Sequence, residues 1–124
     1  MSKKNSKNLF DAVETLIGAT AVFNGDLQTE RVVRIDGKFN GNIKAAGVMI
    51  GEEGKVVGDI DTTVFMIAGT IKGNVKATDS IEVLPTAKVE GDIETDLLTI
   101  VEGATFEGKS SKIKSSEINY DNEE

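Results

Sequence analysis

Hydrophobic residues alternate with polar ones inside short runs of this chain, and the runs themselves return every 15 to 18 residues. The clearest copy is Val89-Glu90-Gly91-Asp92-Ile93. Its relatives are Phe23-Asn24-Gly25-Asp26-Leu27, Phe39-Asn40-Gly41-Asn42-Ile43, Val56-Val57-Gly58-Asp59-Ile60, Ile71-Lys72-Gly73-Asn74-Val75 and a decayed Phe106-Glu107-Gly108-Lys109-Ser110. The glycine-to-glycine intervals are 16, 17, 15, 18 and 17. A period of two is a strand signature. Repetition of such units signals an array in which no single unit buries its own apolar side.

A second apolar anchor precedes each run: Ile17, Ile35, Ile50, Ile67, Val83 and Ile100. The step from anchor to run is four residues in Ile35–Phe39 and Ile67–Ile71 and six in the other four copies, so the corners come in a short and a long kind. Short strands joined by tight corners and stacked on their equivalents make an all-β, single-domain parallel β-helix, or β-solenoid, of about six windings. The pattern assigns residues 16–108 to it, residues 1–15 to a flexible N-terminal tail with a short amphipathic segment, and residues 109–124 to a disordered polar tail. The alternation makes the central glycine of each copy inward-facing, between two apolar side chains. Glycine weakens a strand unless a close approach demands it, so six at one register imply a crowded coil axis. A phosphate-binding glycine loop is the weaker reading, because no copy shows a strand followed by a helix start.

Leu9, Phe10, Val13, Leu16 and Ile17 fall at helical spacing, with Asn8 placed to cap and Asp11 in the first turn. A helix of about ten residues is marginal alone in water. Two readings stand. The segment folds over the first winding as a terminal cap, or it meets a membrane, with Lys3, Lys4 and Lys7 drawn to anionic lipid and Leu9, Phe10 and Val13 inserting.

The net charge of -7 is uneven: residues 1–13 carry +2, residues 109–124 carry -1, and the repeats between carry -8. An acidic body disfavours nucleic acid, whose binding rests on neutralising phosphates. With no Cys there is neither a disulfide framework nor a thiolate metal site. No signal peptide is visible and no apolar run approaches the ~20 residues that span a bilayer, so a cytoplasmic location, at the inner face of the cell membrane if the tail binds lipid, is expected. Outward columns read Asp26, Asn42, Asp59, Asn74, Asp92, Lys109 and Gln28, Lys44, Asp61, Lys76, Glu94, Ser111. The first interleaves Asn with Asp, and the second sets Lys44 and Lys76 against Asp61 and Glu94 on neighbouring windings. The Asn interruptions and the lack of a Gly-Gly-x-Gly-x-Asp pattern disfavour a metal site, and no cofactor is implied.

The last winding offers Leu98, Ile100, Ala104 and Phe106, and the polar stretch from Lys109 to Glu124 contains no convincing cap. A bare apolar cross-section with unpaired strand edges invites a second copy. The expected contacts are Leu98, Ile100 and Phe106 at the C-terminal end, with Ile17, Phe23 and Leu27 as the counterpart at the other, although Phe106 as a simple core plug accounts for the pattern equally.

Gly58-Asp59-Ile60, Gly73-Asn74-Val75, the stretch from Val83-Leu84-Pro85-Thr86-Ala87 to Gly91-Asp92-Ile93, and Ile100 to Gly108 closely resemble the bactofilins, bacterial polymer-forming cytoskeletal proteins. The resemblance covers residues 16–108, with Leu84-Pro85-Thr86-Ala87 its most specific part. It implies a right-handed coil of triangular section, nucleotide-independent assembly into non-polar filaments through like-to-like ends, and membrane association through the N-terminal tail. Some relatives open with Met-Phe before basic residues; here Ser2 follows Met1 and the first aromatic is Phe10. Two other functions compete. One is a scaffold recruiting cell-wall or cell-shape enzymes along a solenoid face. The other is a hexapeptide-repeat enzyme, disfavoured because the chain has no His to act as a base and an uneven period.

Overall fold

The structure, a computed structural model, describes residues 13–113. Fourteen strands follow in order: β1 (Val13–Ile17), β2 (Val22–Asn24), β3 (Leu27–Gln28), β4 (Val32–Ile35), β5 (Lys38–Asn40), β6 (Ile43–Ile50), β7 (Lys55–Val57), β8 (Ile60–Ile67), β9 (Thr70–Lys72), β10 (Val75–Val83), β11 (Lys88–Glu90), β12 (Ile93–Ile100), β13 (Thr105–Glu107) and β14 (Ser110–Lys112). A wide parallel sheet runs β1-β4-β6-β8-β10-β12-β14, with β3 also on β6, and a narrow parallel sheet runs β13-β11-β9-β7-β5-β2. Each strand therefore pairs with its equivalent one winding away, which is a β-solenoid of about six turns.

The register keeps like residues stacked. Ile17, Ile35, Ile50, Ile67, Val83 and Ile100 form one column. Phe23, Phe39, Val56, Ile71, Val89 and Phe106 form another. Within the long strands the alternation slips by one residue: Ile43 and Ala45 are buried, then Val48 and Ile50. That slip creases the wide sheet, so a winding presents three outward segments.

Structure explains the uneven period. The interval of 15, Gly58 to Gly73, has a short corner and no extra residue at the crease. A long corner adds two residues because it carries a β-turn, closed for example by Gly54 N–H to the Gly51 carbonyl at 2.9 Å and Ala87 N–H to the Leu84 carbonyl at 3.0 Å. Pro85 stands second in the latter, where its fixed φ suits the turn. An extra residue at the crease adds one, seen where Ala77 and Ser80 of β10 oppose Thr62 and Val64 of β8. The intervals of 16, 17 and 18 are the crease insertion alone, the long corner alone, and both together.

Three expectations change. The central glycines do not point into the coil. They lie just past the narrow-sheet strands at φ between +135° and +150°, and a Cβ on Gly41, Gly58, Gly73, Gly91 or Gly108 would collide with the carbonyl oxygen of the preceding glycine in the column. The close approach is therefore between windings, along the stacking direction. Residues 13–17 are strand rather than helix, because β1 can donate and accept along the open edge of β4, whereas a short isolated helix gains nothing comparable. Ser110–Lys112 likewise pair with β12, so strand extends past residue 108. Residues 1–12 and 114–124 lie outside the described part of the chain.

Candidate assembly surfaces

The inward columns are sealed in the middle of the coil and open at its C-terminal end. Ile67 and Val83 are fully buried, while Ile100, the last member of their column, is 44% exposed. Phe106 is half-buried above the fully packed Val89, and Leu98 and Ala104 are only partly covered. The last residue of the Leu27 column, following Ile93, is Ser110, so no apolar side chain closes that column. Leu98, Ile100 and Phe106 are thus brought to one terminal surface.

At the N-terminal end the picture is less bare. Ile17 is 8% exposed, Phe23 and Leu27 are half-buried, and the Phe23 ring stacks on Phe39 at 4.8 Å between centroids with 8° between planes. The ring pair fixes Phe23 as the top of its column. Of the residues tied to a membrane, Lys3, Lys4, Lys7, Leu9 and Phe10 lie outside the described residues, while Val13 sits on β1 at 38% exposure.

The Asx column does something its sequence pattern did not reveal. Each side-chain oxygen accepts the backbone N–H of its equivalent on the next winding: Asn42 to Asp26 at 3.1 Å, Asp59 to Asn42 at 3.0 Å, Asn74 to Asp59 at 3.0 Å, Asp92 to Asn74 at 3.0 Å and Lys109 to Asp92 at 3.1 Å. An amide oxygen and a carboxylate oxygen serve equally as acceptors, which is why Asn and Asp interchange here. Lys109 has no acceptor to offer, and the ladder ends there. The expected charge interleaving is present as register, with Lys44 opposite Asp61 and Lys76 opposite both Asp61 and Glu94. These pairs form no ion pair among the described residues, where Arg34–Asp36 at 3.0 Å does.

The ladder and the charged column line an open groove of about 770 Å³ running along the coil. It takes three residues from each of the first five windings, Asp26–Gln28 through Asp92–Glu94, and Ser111 from the sixth. Five carboxylates and two lysines face it, so its field is acidic.

Known proteins supply a direct comparison. The bactofilin family model, described as polymer-forming cytoskeletal, matches residues 15–111. Bactofilin BacO of Myxococcus xanthus (strain DK1622) is 34% identical over 95 residues, which is 76% of this chain and 75% of that protein. Bactofilin BacP of the same organism is 27% identical over 96 residues, and the chain spans only 40% of its length. A cryo-EM reconstruction of Thermus thermophilus bactofilin double helical filaments matches with a TM-score of 0.71 at 26% identity, covering 80% of this chain and 99% of that one. Glycine-spaced stacking rungs, an apolar terminal cross-section and these matches lead to one assignment: the chain belongs to the bactofilin family of polymer-forming cytoskeletal proteins.

Proposed function

We propose that this chain assembles end to end, without nucleotide, into non-polar filaments, using Leu98, Ile100 and Phe106 at one end and Ile17, Phe23 and Leu27 at the other. The observation that carries this reading is the rise in exposure along one column, from full burial at Val83 to 44% at Ile100. Covering an apolar end recovers about 25 cal/mol for each Å² removed from water, and the unpaired edge of the last strands gains hydrogen-bond partners.

Like-to-like contacts are favoured by the end of the Asx ladder. A second copy stacked in register on the C-terminal winding would set its Asp26 N–H against the Lys109 side chain, which cannot accept it. The relative from Thermus forms double helical filaments, and the same lengthwise order is proposed here. The N-terminal tail, with Lys3, Lys4, Lys7, Leu9 and Phe10, supplies weak membrane affinity in each copy, which the polymer multiplies.

The groove favours a second role. A trough repeated along a filament suits a scaffold that holds an extended segment of a cell-shape or cell-wall enzyme, fixed by the alternating lysines and carboxylates.

Electron microscopy of the purified protein in nucleotide-free buffer tests the main reading. Filaments are expected. Particles of one size that stay unchanged over a wide concentration range would overturn it.

A further inference from the structure

Charge in the groove follows the winding number. Counted from β3 as the first rung, the lining carries Asp26 on the first, Lys44 on the second and both Asp59 and Asp61 on the third. Lys76 stands on the fourth, and Asp92 with Glu94 on the fifth. The net charge therefore reads -1, +1, -2, +1, -2 along the coil. The residue just before the glycine adds Lys72 to the fourth rung and Glu90 to the fifth, in the same sense. In the crease, Asp79 on the fourth rung runs against the pattern.

The stability of the coil does not require this. The ladder position works with Asn as well as with Asp, as Asn42 and Asn74 show, so a carboxylate there adds charge without adding a bond. On the third rung that charge stands two residues from Asp61, and on the fifth two residues from Glu94. Residues two apart in a strand point the same way, and like charges so placed repel. Lys44 and Lys76 on the neighbouring rungs offset only part of this, since two lysines meet five carboxylates and no ion pair forms between them among the described residues.

We infer that the groove binds an extended peptide bearing a cationic side chain at every third residue, which rests on the scaffold reading above and specifies the segment it would hold. The carboxylate rungs recur at every second winding, about 9.6 Å apart. Three residues of a polyproline II segment advance about 9.3 Å. Cations three apart therefore reach the first, third and fifth rungs in step, over roughly 19 Å of groove. Cations two apart advance about 6.2 Å and cations four apart about 12.4 Å, which carries the neighbours of a seated cation toward Lys44 or Lys76. The two lysines thus act against the wrong spacing, as repulsive elements do in specific interfaces. Nucleic acid is repelled by the acidic lining. A second copy laid groove to groove would bring together two surfaces that each carry a net charge of -3.

The probes are three dye-labelled decapeptides of one composition with blocked ends, each holding three lysines among prolines and serines, spaced two, three or four apart. Fluorescence anisotropy measures their binding to the full chain at about 0.1 M salt, where the ~10 Å Debye length lets a peptide sense neighbouring rungs rather than the net charge alone. The spacing of three is expected to bind about tenfold tighter than the other two, as the product of small factors from three exposed ion pairs. Asp61→Asn/Glu94→Gln, which leaves the ladder acceptors in place, should weaken that peptide about tenfold. Lys44→Gln/Lys76→Gln should let the other spacings bind nearly as well as the spacing of three. Circular dichroism confirms that the variants fold. Binding that ignores spacing, or that the Asp61 and Glu94 substitutions leave unchanged, overturns the inference while the scaffold reading stands. Absence of binding by all three peptides overturns the scaffold reading as well. Lys4 and Lys7 of the chain itself stand three apart, so a chain lacking residues 1–12 is measured alongside. A peptide that binds only that shortened chain would make the tail the occupant and overturn the assignment to a partner.

Discussion

Gly58→Ala is expected to destabilise the coil by about 3–5 kcal/mol. Gly58 has φ +144°, where a side chain costs about 1–3 kcal/mol of backbone strain. The added methyl would also meet the Gly41 carbonyl oxygen well inside 3.0 Å, a distance that real Cβ atoms essentially never show. The oxygen is backbone and cannot swing aside, so the two windings must part. Parting them strains the bond from Gly41 N–H to the Val57 carbonyl at 2.9 Å and the ladder bond from Asp59 N–H to Asn42 at 3.0 Å. Each such bond has a net worth of about 1 kcal/mol. The sum is a large share of the 5–15 kcal/mol that holds most domains together. The control is Gly18→Ala, where nothing stands within 4 Å of the new methyl, and which should be neutral or slightly stabilising. Urea unfolding followed by far-ultraviolet circular dichroism measures both. A Gly58→Ala midpoint within ~1 kcal/mol of wild type would refute the close-approach reasoning, whatever Gly18→Ala does.

Three further outcomes follow from the packing. Ile67→Ala, at a fully buried position in the anchor column, should cost about 2–5 kcal/mol by the same unfolding assay. Thr95→Val should stabilise by about 1 kcal/mol, because Thr95 Oγ1 is buried without a hydrogen-bond partner, unlike Thr62 Oγ1, which donates to the Val64 carbonyl; a loss of stability would mean that the hydroxyl is satisfied. Asn74→Ala removes one ladder acceptor and should cost about 1 kcal/mol, whereas Asn74→Asp, which keeps the oxygen, should cost far less, and equal losses in the two variants would show that the ladder contributes nothing.

The stacking columns were legible because the fold repeats them. Six copies of an Ile or Val anchor and six of a Phe, Ile or Val run made the register readable before any coordinate, and the strand pairings reproduce it residue for residue. The uneven spacing was legible as two kinds of corner, but the extra residue at the crease was not, since Asp79 and Glu30 look like any polar residue in a strand. The glycines were recognised as a steric device and assigned the wrong direction. Alternation alone cannot show that a chain turns a corner at Gly41 and resumes on the next face. The ladder was hidden for a related reason: Asn and Asp beside glycine read as charge dilution, and only the winding-to-winding geometry shows their oxygens bonded to backbone. The helical spacing of Leu9 to Ile17 misled over residues 13–17 because an edge strand can show the same spacing, and the edge of β4 supplies the hydrogen bonds that decide between the two.

The terminal surface was legible in a different way, through what is missing. Ile100 and Phe106 are the last members of their columns among the described residues, and the glycine-centred run that the sequence shows decaying at Phe106 agrees with their exposure. The alignment of Lys38, Lys55 and Lys88 in one column of the narrow sheet is not legible in the sequence, where they are 17 and 33 residues apart. Proximity of that kind is visible only once the windings are stacked.

The most direct measurement compares the wild type with Phe106→Arg, each purified without nucleotide, by electron microscopy and sedimentation velocity. Wild-type filaments, and a variant that keeps its β-rich circular dichroism yet sediments as small oligomers, are the predicted results. A Phe106→Arg protein that polymerises as well as the wild type would contradict assembly through the bare C-terminal winding.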